Sequence, residues 1–359
     1  MKKRVAVVGA TGIAGQQFLV ALDGHPWFEV VTLAASTRSA GKRYRDALLD
    51  PKTGARRWWC PEEPPAGVLD LPVENGDTMD AAAVDLVVSA VESDAARMLE
   101  PRFAKTTPVV STASAFRYED DVPILVPGVN LEHAALVERQ RRVRGWRGFV
   151  APLPNCTTMG LAVTLKPLFD RFGIERVVMT SMQGISGAGR SPGVIALDIV
   201  DNVIPYIPGE EEKVAREAGK VLGTVVAGEI APAAFPVSAT CTRAAVTEGH
   251  TEAVTVSLGT RATPGDVAAA FRGFGAELAA MGLPSAPARL ITVHDDPFRP
   301  QPRLDRDADG GMTTSVGRIR EDHALDNGVK YVLVSHNTKM GAAKGAVLTA
   351  EYLATAGYL

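Results

Sequence analysis

Cysteine is scarce in this chain: Cys60, Cys156 and Cys241 are the only three in 359 residues, widely spaced and without CxxC or Cys/His patterning. That excludes a disulfide framework and a cysteine-built zinc site, and it fits a reducing compartment. No run of about 18 or more apolar residues occurs, so no transmembrane helix is expected. The apolar stretch in MKKRVAVVGA breaks off too soon for a signal peptide. An excess of positive charge is also missing. With 38 basic against 41 acidic side chains, the formal charge of -3 offers no general attraction to nucleic acid or to an anionic membrane. Repeats and low-complexity tails are absent too. What remains is a cytoplasmic globular protein without a metal site, whose anion sites must be local. At roughly 150 residues per domain, its length predicts two domains.

Glycine, by contrast, is placed with purpose. Residues 4–8 (RVAVV) read as a buried parallel strand, and a helix should start near Gly12. Between them lies Gly9-Ala10-Thr11-Gly12-Ile13-Ala14-Gly15. The first glycine permits the tight turn, the second admits a pyrophosphate close to the backbone, and the third lets helix and strand pack closely. Gly9, Thr11, Gly12, Ile13 and Gly15 are therefore assigned to a dinucleotide. The next strand, 30–35, ends in Ser36-Thr37-Arg38-Ser39 with no acidic side chain for a ribose hydroxyl. Ser36, Arg38 and Ser39 suit a 2′-phosphate instead, which predicts NADP. A solvated connector is the plain alternative.

The alternation continues with strand 84–90, helix 94–105 and strand 108–111, which implies a Rossmann-type doubly wound parallel sheet. Strand ends are where ligands sit in such sheets, so Ser89, Ala90 and Val91-Glu92-Ser93 should lie near the cofactor. Residues 41–80, with Trp58-Trp59-Cys60-Pro61, fit this rhythm poorly and read as an irregular insertion.

In the second half, Pro154-Asn155-Cys156-Thr157 precedes a helical run. Helix N-termini favour anions, so a cysteine there can be a thiolate and a nucleophile. A small buried hydrophobe is the alternative for any single free cysteine. Strand 176–181 then leads into the glycine-rich loop Met182-Gln183-Gly184-Ile185-Ser186-Gly187-Ala188-Gly189-Arg190. The acidic cluster Glu210-Glu211-Glu212-Lys213 reads, on charge alone, as a solvated helix face. Arg243 and His250 are seven apart, which would put them on opposite faces of one strand, so a turn near Glu248-Gly249 is required. His294, His323 and His336 read as surface or capping residues.

Taken in order, GATGIAG, STASAFR, PNCTT, SMQGISGAG, DNVIPYIPGEEEK, TRAAVTEGHTEAV, RPQPRLDR, GRIR and HNTKMGAAKGAVLTAEYL resemble the aspartate-β-semialdehyde dehydrogenases, in their archaeal and fungal-like branch, over nearly the whole chain. The resemblance implies an NADP-binding domain over 1–150, joined by a C-terminal helix within 337–359, and a catalytic and dimerisation domain over 151–336 with a mixed, largely antiparallel sheet. It implies Cys156 as nucleophile, His250 as acid/base, Gln183 as a residue that orients the bound acyl group, and Asn155, with Asn337, as a contact for the intermediate or the nicotinamide end. Arg243 would hold the substrate carboxylate, Glu210 its amino group, and Arg117 with Lys213 its phosphate. Ser186, Gly187 and Asn337 would complete the cofactor contacts, in a homodimer or homotetramer. Thr157 replaces the family's more usual Ser, and Arg190-Ser191-Pro192 departs from its pattern.

The chemistry is coherent: a thiolate converts an acyl phosphate to a thioester, whose carbonyl accepts hydride far better than a carboxylate does. Rival readings are an acyl-CoA reductase similar to malonyl-CoA reductase, an N-acetylglutamyl-phosphate reductase, and a non-catalytic dinucleotide sensor.

Overall fold

The computed structural model describes residues 1–189 and 193–359, so the expectation for Arg190-Ser191-Pro192 lies outside the described residues. Two compact units result. Met1–Leu125, Glu132–Leu153 and Ala342–Leu359 form the first, Val126–Leu131 and Pro154–Gly341 the second. Among the described residues no helix is long and apolar enough to cross a membrane.

Six short strands make the first unit's sheet: β1 Lys3–Val8, β2 Phe28–Ala35, β3 Val73–Asn75, β4 Leu86–Ser89, β5 Val109–Ser111 and β6 Val150–Pro152. All pair in parallel, in the order β3-β2-β1-β4-β5-β6. The order reverses between β1 and β4, which is where such sheets open a crevice for a dinucleotide. Val5, Val7, Val87 and Val110 are fully buried, as strands covered on both faces require. The supposedly irregular stretch 41–80 corrects the sequence reading, because it supplies the edge strand β3. Three residues are too few to show a period.

The chain's last helix, Lys344–Thr355, packs on helix Ile13–Leu22 within this unit. His25 ties it down: Nε2 lies 2.9 Å from Glu351 Oε1, while Nδ1 accepts from the backbone N–H groups of Trp27 and Phe28.

The second unit is built on β7 Ile174–Gln183, β8 Val203–Ile204, the small hairpin β9 Thr224–Val226 and β10 Glu229–Ala231, β11 Val237–Ala244, β12 His250–Leu258, β13 Ile291–Val293, β14 Thr314–Asp322 and β15 Gly328–Ser335. Apart from the hairpin they form one sheet, β13-β14-β15-β12-β7-β11-β8. Only β7 with β11 and β13 with β14 run parallel, so the sheet is mixed and largely antiparallel.

Alternation sorts its side chains. Val177, Met179, Ser181 and Gln183 on β7 face inward with His250, Glu252, Val254 and Val256 on β12. Helix Cys156–Phe172 covers this face, and Gly160 lets it approach: a Cβ there would lie 2.8 Å from that of Ser335. On the opposite face Val178 and Met182 are 44% and 37% exposed.

Glu252 is the anomaly of the interior. It sits between Ser181 and Leu333, fully buried, and neither carboxyl oxygen meets a hydrogen-bond partner among the described residues. Burial, and secondarily the charge of Glu210, raise its pKa well above the ordinary value of 4.5. The folded chain thus keeps a proton that the unfolded chain releases above that value, so this group takes away stability as pH rises from there. Glu252→Gln should melt at a higher temperature than the parent protein, and the gap should widen from pH 6 to pH 9 in thermal melts followed by circular dichroism. A gap that is flat with pH would refute a buried neutral acid.

Candidate active site

Helix Cys156–Phe172 begins where the sequence places it. Asn155 is its N-cap, accepting the Thr157 N–H at 2.8 Å, and Cys156 is the first helical residue. Its thiol is only part buried, and Sγ lies 3.2 Å from His250 Nε2.

The sheet explains how two distant residues reach this sulfur. Strand β11 lies on one side of β7 and β12 on the other. Arg243 pairs with Gln183, and Thr251 pairs with Met182, which sets His250 one step further, beside Gln183. Arg243, Gln183 and His250 therefore form one row on the inner face. The expected turn is present, with Gly249 at φ +93. Arg243 donates from Nη1 to Gly184 O at 2.8 Å; burial lowers its pKa, while Cys156 and Glu210 oppose that shift. Gly187 lies across the row, since a Cβ there would come within 2.9 Å of Arg243 Nη1 and 3.3 Å of His250 Cε1. Gly341 backs the nucleophile, its Cβ position falling 2.9 Å from Cys156 Cβ.

His250 is fully buried and carries a specific tautomer. Its Nδ1 accepts the Gly184 N–H at 3.1 Å, so the neutral ring holds its proton on Nε2, facing the sulfur. Burial above all, helped by Arg243 and His336, pushes its pKa down to about 3. The expected acid/base is thus a neutral hydrogen-bond donor in the resting protein.

Glu210 gathers the amides. Asn155 Nδ2 lies 3.0 Å from both its oxygens, Gln183 Nε2 donates to Oε1 at 3.1 Å, and Lys213 Nζ is 3.9 Å from Oε2. The acidic cluster is therefore not wholly a solvated face: Glu212 is exposed, but Glu210 joins Val214, Glu217, Ala218 and Val221 in the buried stripe of helix Glu210–Val221. Glu217, which the sequence reading missed, accepts the Asn155 N–H at 2.5 Å. Its spacing of seven from Glu210, with Val214 between them and Ala218 and Val221 beyond on the stripe, was the available signal.

Asn337 uses both ends of its amide inside the unit, donating to Ser186 Oγ at 2.8 Å and accepting the Gly249 N–H at 2.9 Å. His336 is not on the surface but does cap: it is fully buried, its Nδ1 accepts the Lys339 N–H at 3.3 Å at the start of the next helix, and its Nε2 lies 3.5 Å from Asp307 and 3.7 Å from Glu248. His294 also has a partner, 3.4 Å from Asp305. Cys241 lies under the row and stays a thiol at neutral pH, its pKa pushed up to about 11 chiefly by burial.

In the first unit, Gly9 has φ +84, and Cβ atoms at Gly9 and Gly15 would strike Ala90 O and Gly9 O respectively, so the turn has the shape a dinucleotide pyrophosphate needs. Ser36 and Arg38 are exposed just beyond β2, Ser39 is half-buried, and Ser89 ends β4. Arg117 is buried, its Nε donating to Leu153 O and its Nη2 to Thr112 O, both at 2.8 Å.

Comparison with known proteins agrees with both halves. Residues 4–137 match the family described as semialdehyde dehydrogenase, NAD binding domain, and residues 165–340 match semialdehyde dehydrogenase, dimerisation domain. The chain is 46% identical over 349 residues to the aspartate-semialdehyde dehydrogenase of Methanothermobacter thermautotrophicus, covering 97% of this chain and 98% of that one. The crystal structure of the Candida albicans enzyme with NADP superposes with a TM-score of 0.89 at 40% identity, covering 99% of this chain and 100% of the other. The Vibrio cholerae aspartate semialdehyde dehydrogenase II, complexed with ASA, gives 0.77 at 26% identity, with 99% of each chain covered. With both domain models matched and relatives at 40% identity or more over nearly its whole length, this chain belongs to the aspartate-semialdehyde dehydrogenase family.

Proposed function

We propose that the protein reduces L-aspartyl-4-phosphate to L-aspartate-4-semialdehyde with NADPH, by way of a thioester on Cys156, and catalyses the phosphorylating oxidation in reverse. The observation that carries this reading is Cys156 Sγ at a helix N-terminus, 3.2 Å from His250 Nε2, with Arg243 in the same row.

Arg243 clamps the substrate carboxylate through its planar fork and so fixes the reacting carbon. Glu210, held by Asn155 and Gln183, takes the substrate's ammonium group. Lys213 and Arg117 are assigned to the phosphate on the resemblance. The Cys156 thiolate attacks the acyl carbon, the carbon–oxygen bond to phosphate breaks, and the departing phosphate takes a proton from water. His250 Nε2–H first supports the sulfur and then the oxyanion at the acyl carbon, as a neutral donor that need not give up its proton. Bound NADPH supplies the hydride that the thioester carbonyl accepts. Collapse of the resulting oxyanion expels the Cys156 thiolate and frees the aldehyde.

The glycine turn would hold the pyrophosphate, and Ser36, Arg38 and Ser39 the 2′-phosphate. The exposed face of the second sheet, with Val178 and Met182, is assigned to a homodimer contact, in keeping with the matched dimerisation domain. The three free cysteines support a reducing, cytoplasmic location.

Cys156→Ser should lower turnover by about 10³-fold or more while leaving the NADPH dissociation constant within about twofold; oxidation of aspartate semialdehyde by the parent protein should require inorganic phosphate, and turnover with coenzyme A in its place would favour the acyl-CoA reductase. Arg38→Ala should weaken NADPH roughly 10- to 100-fold and leave NADH unchanged in fluorescence titrations, as loss of a charged hydrogen bond implies. In histidine-labelled ¹⁵N spectra, the His250 resonances should show a protonated Nε2 and an unprotonated Nδ1 from pH 7 to pH 5. A titration near 6.5 at this ring would return it to the acid/base role.

A further inference from the structure

Segment 41–60 has no part in the chemistry above, yet it reaches the glycine turn and its helix at two points. Tyr44, on the short helix Tyr44–Ala47, is fully buried and donates its hydroxyl to Ala10 O at 2.7 Å. Gln16, on the helix that follows the turn, is buried as well and makes three bonds. Its Nε2 donates to Thr11 O at 3.1 Å and to Arg57 O at 2.8 Å, and its Oε1 accepts the Trp59 N–H at 2.6 Å.

Ala10 and Thr11 are the middle of the glycine turn, and the geometry of a trans peptide gives these bonds a consequence. A planar unit points its C=O and its N–H in opposite directions. Holding Ala10 O on the Tyr44 hydroxyl therefore turns the Thr11 N–H to the other side of the turn. Holding Thr11 O on Gln16 likewise turns the Gly12 N–H inward, where it donates to Gly9 O at 3.0 Å. The glycines make the turn possible; these side chains select its peptide planes. A turn of this kind binds pyrophosphate through backbone N–H groups outside its own hydrogen bonds; the Gly12 N–H closes the turn, and the Thr11 N–H is the one that the Tyr44 bond aims.

We propose that Tyr44 and Gln16 are positioning residues for the dinucleotide, and that segment 41–60 is a brace that pre-orients the glycine turn. The proposal rests on the first unit being the NADP site, and it gives the irregular insertion a role in affinity. A turn left to sample other peptide orientations would bind only in the competent fraction of its states, so its apparent affinity falls by that fraction.

The test is titration of the full-length protein with NADPH and, separately, with 2′-AMP, which carries the adenosine and 2′-phosphate but no pyrophosphate. Tyr44→Phe keeps the ring's packing and removes only the hydroxyl; Gln16→Leu removes all three bonds of the carboxamide. NADPH should weaken about 3- to 10-fold in Tyr44→Phe and further in Gln16→Leu, on the usual net worth of a hydrogen bond. Affinity for 2′-AMP should stay within about twofold, and kcat at saturating NADPH should move less than the NADPH dissociation constant. Unchanged NADPH affinity in Tyr44→Phe would overturn the proposal even if Gln16→Leu fails to fold. So would equal weakening of NADPH and 2′-AMP, the signature of general structural damage. Parent protein that binds neither ligand would overturn the cofactor assignment itself, and this proposal with it.

Discussion

Strand β7 is the spine on which the site is assembled. Because β11 joins it in parallel on one side and β12 in antiparallel on the other, the end of each strand that carries a functional side chain arrives at the same level. Arg243, Gln183 and His250 gain a common row without sharing a stretch of sequence. A slip of one residue in either ladder would turn Arg243 or His250 to the open face of the sheet, away from Cys156. The buried inner face makes that slip costly, since it would expose Val254 and Val256 or Cys241 as well.

Electrostatics in this row work by withholding charge as much as by placing it. Burial of the His250 ring, helped by Arg243 beside it, keeps the imidazole neutral. The Gly184 N–H then decides which nitrogen bears the proton. Glu210 remains the one carboxylate held by several amide and hydroxyl donors at the row, while Glu252 beneath it is kept protonated. One acid is satisfied by donors and the other by its own proton, and the two can therefore lie close together.

Local patterns made part of this readable. The glycine turn follows a β-branched strand and opens a helix, and the cysteine follows a capping asparagine, so each is encoded within a few consecutive residues. The pairing of β7 with two strands some sixty residues downstream is a long-range event with no local trace; the row could only be named by resemblance. Strand β3 escaped because three residues carry no period. Glu217 and Glu252 escaped for a different reason: neither carries a motif, although Glu217 sits on the apolar stripe of its helix and Glu252 alternates with His250, Val254 and Val256. In both, periodicity outranked residue type. His336, read as surface or capping, does cap a helix start, but it is buried, with Glu248 and Asp307 brought near it from distant loops.

The discontinuous make-up of the first unit bears on how the chain is made. The second unit takes nearly all its residues from one uninterrupted span, Pro154–Gly341, whereas the first needs Ala342–Leu359 to cover helix Ile13–Leu22 and to give His25 its partner Glu351. On the ribosome, therefore, the half that is synthesised first is finished last. Until helix Lys344–Thr355 emerges, His25 lacks its acceptor and helix Ile13–Leu22 lacks its cover, which makes this segment a checkpoint for the first unit.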